Sequence, residues 1–176
     1  VNQASPSAEG LELANSWATQ ASNPDVQWEA LMSQAHSALG DDNLEQAMAL
    51  FDEASSVGIE PRQKQWAILG KAQVHMTIGE FDVAVDALDS IEQTDDEEVN
   101  AQTHIQKAQA LLSNEQLTEA LDSLNGYTAS ELGPGWDMSV EELRTQIYTA
   151  LEQFDNAHQT LVAIQERWPD EEQVQI

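Results

Sequence analysis

Residues 80–91, EFDVAVDALDSI, decide the fold, because three other stretches repeat them: NLEQAMALFDEA at 43–54, QLTEALDSLNGY at 116–127 and QFDNAHQTLVAI at 153–164. In each, a large apolar residue is followed by Ala three positions on and by a second large apolar residue four further on. The first column is Leu44, Phe81, Leu117 and Phe154; the second is Ala47, Ala84, Ala120 and Ala157; the third is Phe51, Leu88, Leu124 and Leu161. All three advance by 37, 36 and 37 residues, a register that chance rarely keeps through four copies. The spacing i, i+3, i+7 describes one face of an α-helix rather than a strand. The Ala column implies close approach of a neighbouring backbone, where a larger side chain would overpack the contact.

Working outward, each of these helices is preceded by another. The first opens at Asn23-Pro24, a cap followed by Pro in the first turn, presents Trp28, Leu31, Met32, Ala35, Ala38 and Leu39, and stops at Gly40. The second opens near Pro61 and carries Trp66, Leu69, Ala72 and Met76 to Gly79. The third opens after Asp95-Asp96, whose carboxylates suit a helix N-terminus, and presents Ile105, Ala108, Leu111 and Leu112. The fourth is expected to open at Ser139-Val140-Glu141-Glu142, a capping-box pattern, with Leu143, Ile147, Tyr148 and Leu151 on its apolar face. Residues 9–21, with Leu13, Ala14 and Trp17, read as an additional amphipathic helix. The expectation is about nine helices and no strands. Helices joined by short turns pack antiparallel, and hairpins that cannot bury both faces stack. Gly133-Pro134-Gly135 interrupts this order, so 127–138 is read as a longer joint: a hinge, a binding loop or, preferred, a slack connection.

These residues resemble the tetratricopeptide repeat (TPR) family. The copies that carry the resemblance are WAILGKAQVHMTIGEFDVAVDAL at 66–88 and IYTALEQFDNAHQTLVAIQERWPD at 147–170, through Trp-x-x-Leu-Gly, Gly-x-Phe-x-x-Ala and a terminal Pro169. The chain departs from the family in its longer period, in the missing Leu-Gly of the first and third copies, and in the missing terminal Pro of the first three. The resemblance implies an all-α, right-handed superhelical solenoid of antiparallel hairpins, about four repeats plus an N-terminal helix. A single TPR-like domain is expected over 24–170, with hairpins at about 24–58, 60–93, 96–126 and 139–168. Residues 1–23 are then a linker and extra helix, and 171–176 a tail. The resemblance also implies a peptide or partner protein bound in a concave groove lined by the first helix of each pair.

Composition narrows the function. The chain has 176 residues, 32 Asp and Glu against 6 Lys and Arg, a net charge of -26 and no Cys. Without Cys there is no disulfide framework and no thiolate metal site. The charge argues against binding nucleic-acid phosphates or anionic membranes, and no apolar run approaches the length of a membrane span. Abundant, regularly spaced apolar residues favour a folded chain over a disordered one. The acidity therefore reads first as a solvated surface. Little Lys, no Cys and much Gln, Asp and Glu fit a bacterial periplasm or exterior, which is favoured, and also a salt-adapted cytoplasm. Val1–Pro6 would suit a linker after a removed signal or anchor.

The sequence lacks phosphate-loop, dinucleotide, zinc-protease and nucleophile-elbow motifs, so no catalytic residue, cofactor or metal ligand is assigned. Asp95-Asp96-Glu97-Glu98 lacks the alternating carboxylates and central Gly of a calcium loop and reads as a helix start. His36, His75 and His104 lie in three successive first helices and could line one groove, although scattered surface histidines are the plainer reading. Asp82, Asp86 and Asp89 read as a water-facing stripe. Trp28 and Trp66 read as core, whereas Trp17, Trp136 and Trp168 are candidates for exposed contact sites. Gln73, Gln102, Gln106, Gln109 and Gln146 could hydrogen-bond the backbone of an extended peptide, or serve as neutral helix filler. The groove candidates are thus His36, Trp66, Gln73, His75, Gln102, Gln106, Gln109 and Gln146. The expected role is a non-catalytic scaffold for a neutral or basic peptide or protein, with no nucleic acid and no membrane insertion. A self-associating assembly module, the soluble part of a membrane-tethered or secreted protein, is the alternative. An enzyme and an acidic DNA mimic rank below both.

Overall fold

Each long helix begins where a side chain accepts from an N–H at the helix start or a proline removes one of the free N–H groups there. Asn23 Oδ1 accepts from the Asp25 N–H at 3.0 Å and starts α1, Pro24–Gly40. Pro61 starts α3, Pro61–Thr77, where Gln63 Oε1 accepts from the Glu60 N–H at 3.1 Å. Asp96 Oδ1 accepts from the Val99 N–H at 3.1 Å and starts α5, Glu97–Ser113. Between and after these lie α2 (Leu44–Val57), α4 (Phe81–Asp89), α6 (Leu117–Asn125), α7 (Pro134–Ala150) and α8 (Phe154–Arg167). The structure, a computed structural model, describes residues 23–92, 95–127 and 132–167; among them are eight helices and no strand. The helix expected at 9–21, Trp17, Trp168, Pro169 and the tail 171–176 lie outside the described residues.

One expectation is corrected. The fourth hairpin starts at Pro134 rather than Ser139. Pro is preorganised for the first helical position and has no N–H to satisfy there, so Gly133-Pro134-Gly135 opens a helix instead of breaking one. Ser139 lies inside it, its hydroxyl donating to the Gly135 carbonyl at 2.9 Å. The described residues fall into two compact units that divide between residues 78 and 79. Ala67 and Val74 of α3 belong to the core of the first unit, whereas Val85 of α4 packs on that of the second.

In the first unit α1, α2 and α3 enclose Leu31, Met32, Ala35, Ala47, Phe51, Ala54, Ala67 and Val74, with Trp28 and Trp66 against this core. Trp28 Nε1 donates to the Gln63 carbonyl at 3.1 Å and Gln63 Nε2 donates to Asp25 Oδ1 at 3.0 Å, so α1 and α3 are joined near their N-termini. The core of the second unit is Ile105, Ala108, Leu111, Ala120, Leu124, Val140, Leu143 and Ile147. Three of the four repeated alanines, Ala47, Ala84 and Ala120, are fully buried, as a close-approach column requires.

A fourth repeat column is visible in the backbone. Asp42, Gly79, Glu115 and Glu152 all have positive φ, at 59°, 82°, 61° and 58°. Each stands two residues before a member of the Leu44 column. In three of these turns the next N–H closes back onto the preceding helix: Asn43 to the Ala38 carbonyl, Gln116 to Leu111 and Gln153 to Tyr148, at 2.8 to 2.9 Å. This left-handed helix end satisfies carbonyls that the last helical turn leaves open.

Candidate functional groove

Helix α5 is apolar on two sides. One buries Ala108 and Leu111 in the core; another carries Ile105 and Leu112 towards α7, which answers with Trp136 and Leu143. Between these residues lies a groove of about 570 Å³. Its polar lining is Gln102, Gln109 and Ser113 of α5 with Ser139, Glu142 and Gln146 of α7. A concave surface with an apolar floor and a few convergent polar groups is the usual form of a binding site. Glutamine amides offer both donors and an acceptor, so the lining can meet either edge of a peptide backbone. Glu142 gives it acidic character in a chain that is already acidic.

The groove brings together three of the residues singled out in the sequence, Gln102, Gln109 and Gln146. The others lie elsewhere. Gln106, on the same helix, is 6% exposed and its Oε1 is buried with no hydrogen bond among the described residues, so it is not a groove wall. Gln73, His75 and half-buried Trp66 are on α3 of the first unit, and Trp66 packs on its core. His36 is exposed on α1; its Nδ1 lies 2.7 Å from the Met32 carbonyl and its ring meets the Phe51 ring edge-on, with centroids 5.2 Å apart. His104 lines a different pocket, with Asp89 and Asp122. These histidines are thus divided between the units, His36 and His75 in the first and His104 in the second.

Trp136, Ser139 and Glu142 join the groove without having been placed there from sequence. The late start expected for α7 left Trp136 in a loop, and only its aromatic character marked it. Among the described residues no group of three or more His, Asp and Glu could hold a metal ion, and no helix is long and apolar enough to cross a membrane.

The model of the "Tetratricopeptide repeat-like domain" family matches residues 10–173. No curated protein matches the chain. Among solved structures, the chain is similar to a protein of the APC/C hetero-tetramer Cut9–Hcn1, with a TM-score of 0.60 and 21% identity over 88% of this chain and 28% of that one. It is also similar to a putative kinesin light chain of Podosopora anserina with nearly identical TPR-like repeats, with a TM-score of 0.68 and 16% identity over 93% of this chain and 87% of that one. At these identities the likeness concerns the fold, and the chain spans little more than a quarter of the first of these relatives. Proteins of this fold generally act as non-catalytic mediators of protein–protein interaction. With its repeat columns, its antiparallel hairpins and a family match over nearly its whole length, the chain belongs to the tetratricopeptide repeat-like domain family.

Proposed function

We propose that the protein is a non-catalytic interaction scaffold that takes an extended, neutral or basic peptide segment of a partner into the α5–α7 groove. The observation that carries this reading is the lining itself: Ile105, Leu112, Trp136 and Leu143 below, Gln102, Gln109 and Gln146 around them. An apolar side chain of the peptide is desolvated on that floor, while the amides bond its backbone without demanding one sequence. Glu142 and the net charge of -26 favour a basic segment over an acidic one. The test is selection of peptides from a random library on the immobilised chain, followed by affinity measurement against Gln146→Arg and Gln109→Arg. Both positions are exposed, so the variants retain the fold. Selected peptides that lose about tenfold or more in affinity support the groove. Peptides bound equally by all three proteins exclude it.

Self-association is the second reading, and Phe154 is the observation that favours it. Leu44, Phe81 and Leu117 of its column are half-buried, but Phe154 is 63% exposed. In a stack of hairpins this column packs on the hairpin that follows, and among the described residues no helix follows α8. Light scattering separates the readings: an oligomer that Phe154→Asp converts to monomer supports assembly, and a monomer at every concentration rejects it.

A further inference from the structure

A second concavity in the 79–176 unit has a different chemistry. It encloses about 370 Å³ between α4, α5 and α6, with Leu88, Asp89, Asn100, His104, Lys107, Asp122, Ser123 and Gly126 among its lining residues. Lys107 is one of only 6 Lys and Arg in the chain, and here it is already engaged: its ammonium donates to Asp89 Oδ1. Asp89 Oδ2 accepts no hydrogen bond among the described residues. Asp122 is exposed, and its carboxylate makes no hydrogen bond among the described residues. The imidazole of His104 lies against Gly126, so closely that a Cβ on that residue would come within 2.6 Å of Cε1. Burial, the largest influence, holds His104 below the ordinary value of 6.5; a hydrogen bond to the Ser123 backbone opposes the shift, and the charge of Lys107 adds to it. A neutral ring that donates one N–H to a carbonyl presents its other nitrogen as an acceptor.

The pocket therefore offers mainly acceptors, and two carboxylates against one ammonium leave it a single negative charge. Leu88, fully buried, and half-buried Ile91 give it an apolar wall. The complementary ligand is a donor-rich cation on an apolar stem. A guanidinium fits better than an ammonium: it is planar, carries five N–H donors that reach separated acceptors together, and loses its water more readily. At about 370 Å³ the space suits one side chain or a small molecule rather than a longer peptide.

We propose that the α4–α5–α6 pocket is a guanidinium-binding site, occupied by an arginine side chain of a partner or by a free guanidino compound, with Asp122 and Asp89 Oδ2 as its principal acceptors. The site does not depend on the α5–α7 groove, and the two are tested by different substitutions.

The experiment follows the His104 ring and Gly126 amide resonances of the full chain by NMR. N-acetyl-arginine amide, N-acetyl-citrulline amide and the peptide acetyl-Ala-Arg-Ala-amide are titrated in turn. The expected result is a saturable shift at both residues with the arginine compounds, none with the uncharged citrulline, and about a tenfold or greater loss of affinity in Asp122→Asn. Tighter binding of the tripeptide than of the amide assigns the guanidinium to a protein partner; equal binding assigns it to a small molecule. Equal responses to arginine and citrulline overturn the proposal. Shifts that spread over the acidic surface without saturating, or affinity unchanged in Asp122→Asn, also overturn it.

Discussion

Arg167, in the last turn of α8, donates from Nη2 to Asp137 Oδ2 at 2.8 Å, 30 residues back in the first turn of α7. The other oxygen of the same carboxylate accepts from the Tyr127 hydroxyl at 2.9 Å. One buried group thus joins the segment leaving α6, the start of α7 and the end of α8, and its negative charge sits where the α7 dipole favours it. The Asp137 side chain is 9% exposed but that of Arg167 is 57% exposed, so the two ends of the ion pair are not energetically equal. Asp137→Ala is expected to cost about 2–3 kcal/mol, because it removes a buried carboxylate and both of the hydrogen bonds that it accepts from Tyr127 and Arg167. Arg167→Ala is expected to cost less than Asp137→Ala, since the arginine end is 57% exposed and water can take its place beside the carboxylate. Urea unfolding of both variants measures the difference; equal losses would contradict it.

The turn column makes a prediction of opposite sign at chemically similar places. Positive φ strains a side chain but not glycine. Glu115 and Glu152 hold φ of 61° and 58°, and Gly79 occupies the same repeat position at 82°. Glu115→Gly and Glu152→Gly should each raise stability by about 0.5–1 kcal/mol, net of the extra freedom glycine gives the unfolded chain. Gly79→Ala should lower it by about 1 kcal/mol. Thermal melts of the three variants decide the matter: a loss of stability in both Glu variants would show that their side chains stabilise the turns.

That column also shows what the sequence concealed. The helix registers were legible because Leu, Phe and Ala recur at fixed spacing, and apolar periodicity reports burial directly. The turns recur just as regularly, but with Asp42, Glu115 and Glu152 in the place where Gly79 carries the recognisable residue. The groove was legible in part. Gln102, Gln109 and Gln146 are polar residues on groove-facing sides of helices, whereas Gln106 lies only one turn from Gln102 and is buried. Residue type cannot separate these cases; the packing of neighbouring helices does. The guanidinium pocket was not legible at all. Asp89, His104 and Asp122 come from three helices, and the exposed stripe of Asp82, Asp86 and Asp89 also accepts hydrogen bonds, Asp82 from Asn114 Nδ2 at 2.8 Å and Asp89 from Lys107. The division at residues 78 and 79 does not follow the repeat period either, because it depends on which core each helix joins.

Gly70 is expected to reverse the usual rule for glycine in a helix. Replacing a helical Gly by Ala ordinarily gains up to about 1 kcal/mol, and Gly40, at the end of α1 with nothing near its would-be Cβ, should behave that way. At Gly70 of α3 the same Cβ would lie 2.2 Å from Cε1 of the fully buried Phe51 ring. The ring must move, and overpacking of this kind costs about 1–3 kcal/mol. Gly70→Ala should therefore lower the urea midpoint while Gly40→Ala holds or raises it. Relief of the clash can be tested in the double variant Gly70→Ala with Phe51→Leu, which should lose less than the two single losses added together.

The buried imidazole of His104 predicts a specific pH dependence. In the folded chain burial disfavours its charged form, with Lys107 adding to the effect and the hydrogen bond to the Ser123 backbone opposing it. The unfolded chain has no such bias and takes up the proton first as pH falls. The contribution of His104 to stability is thus intact above the ordinary value of 6.5, declines as pH falls below it, and stops declining once the lowered folded value is passed. Asp89, Asp122 and Lys107 face the same pocket, and the range between about pH 7 and pH 5 is the one in which an imidazole changes charge. His104→Gln removes the titration. The stability difference between wild type and variant should therefore shift against the wild type on going from about pH 7 to about pH 5. A difference that stays constant across that range, in urea titrations at matched ionic strength, would mean that the ring is no less readily protonated in the folded chain than in the unfolded one.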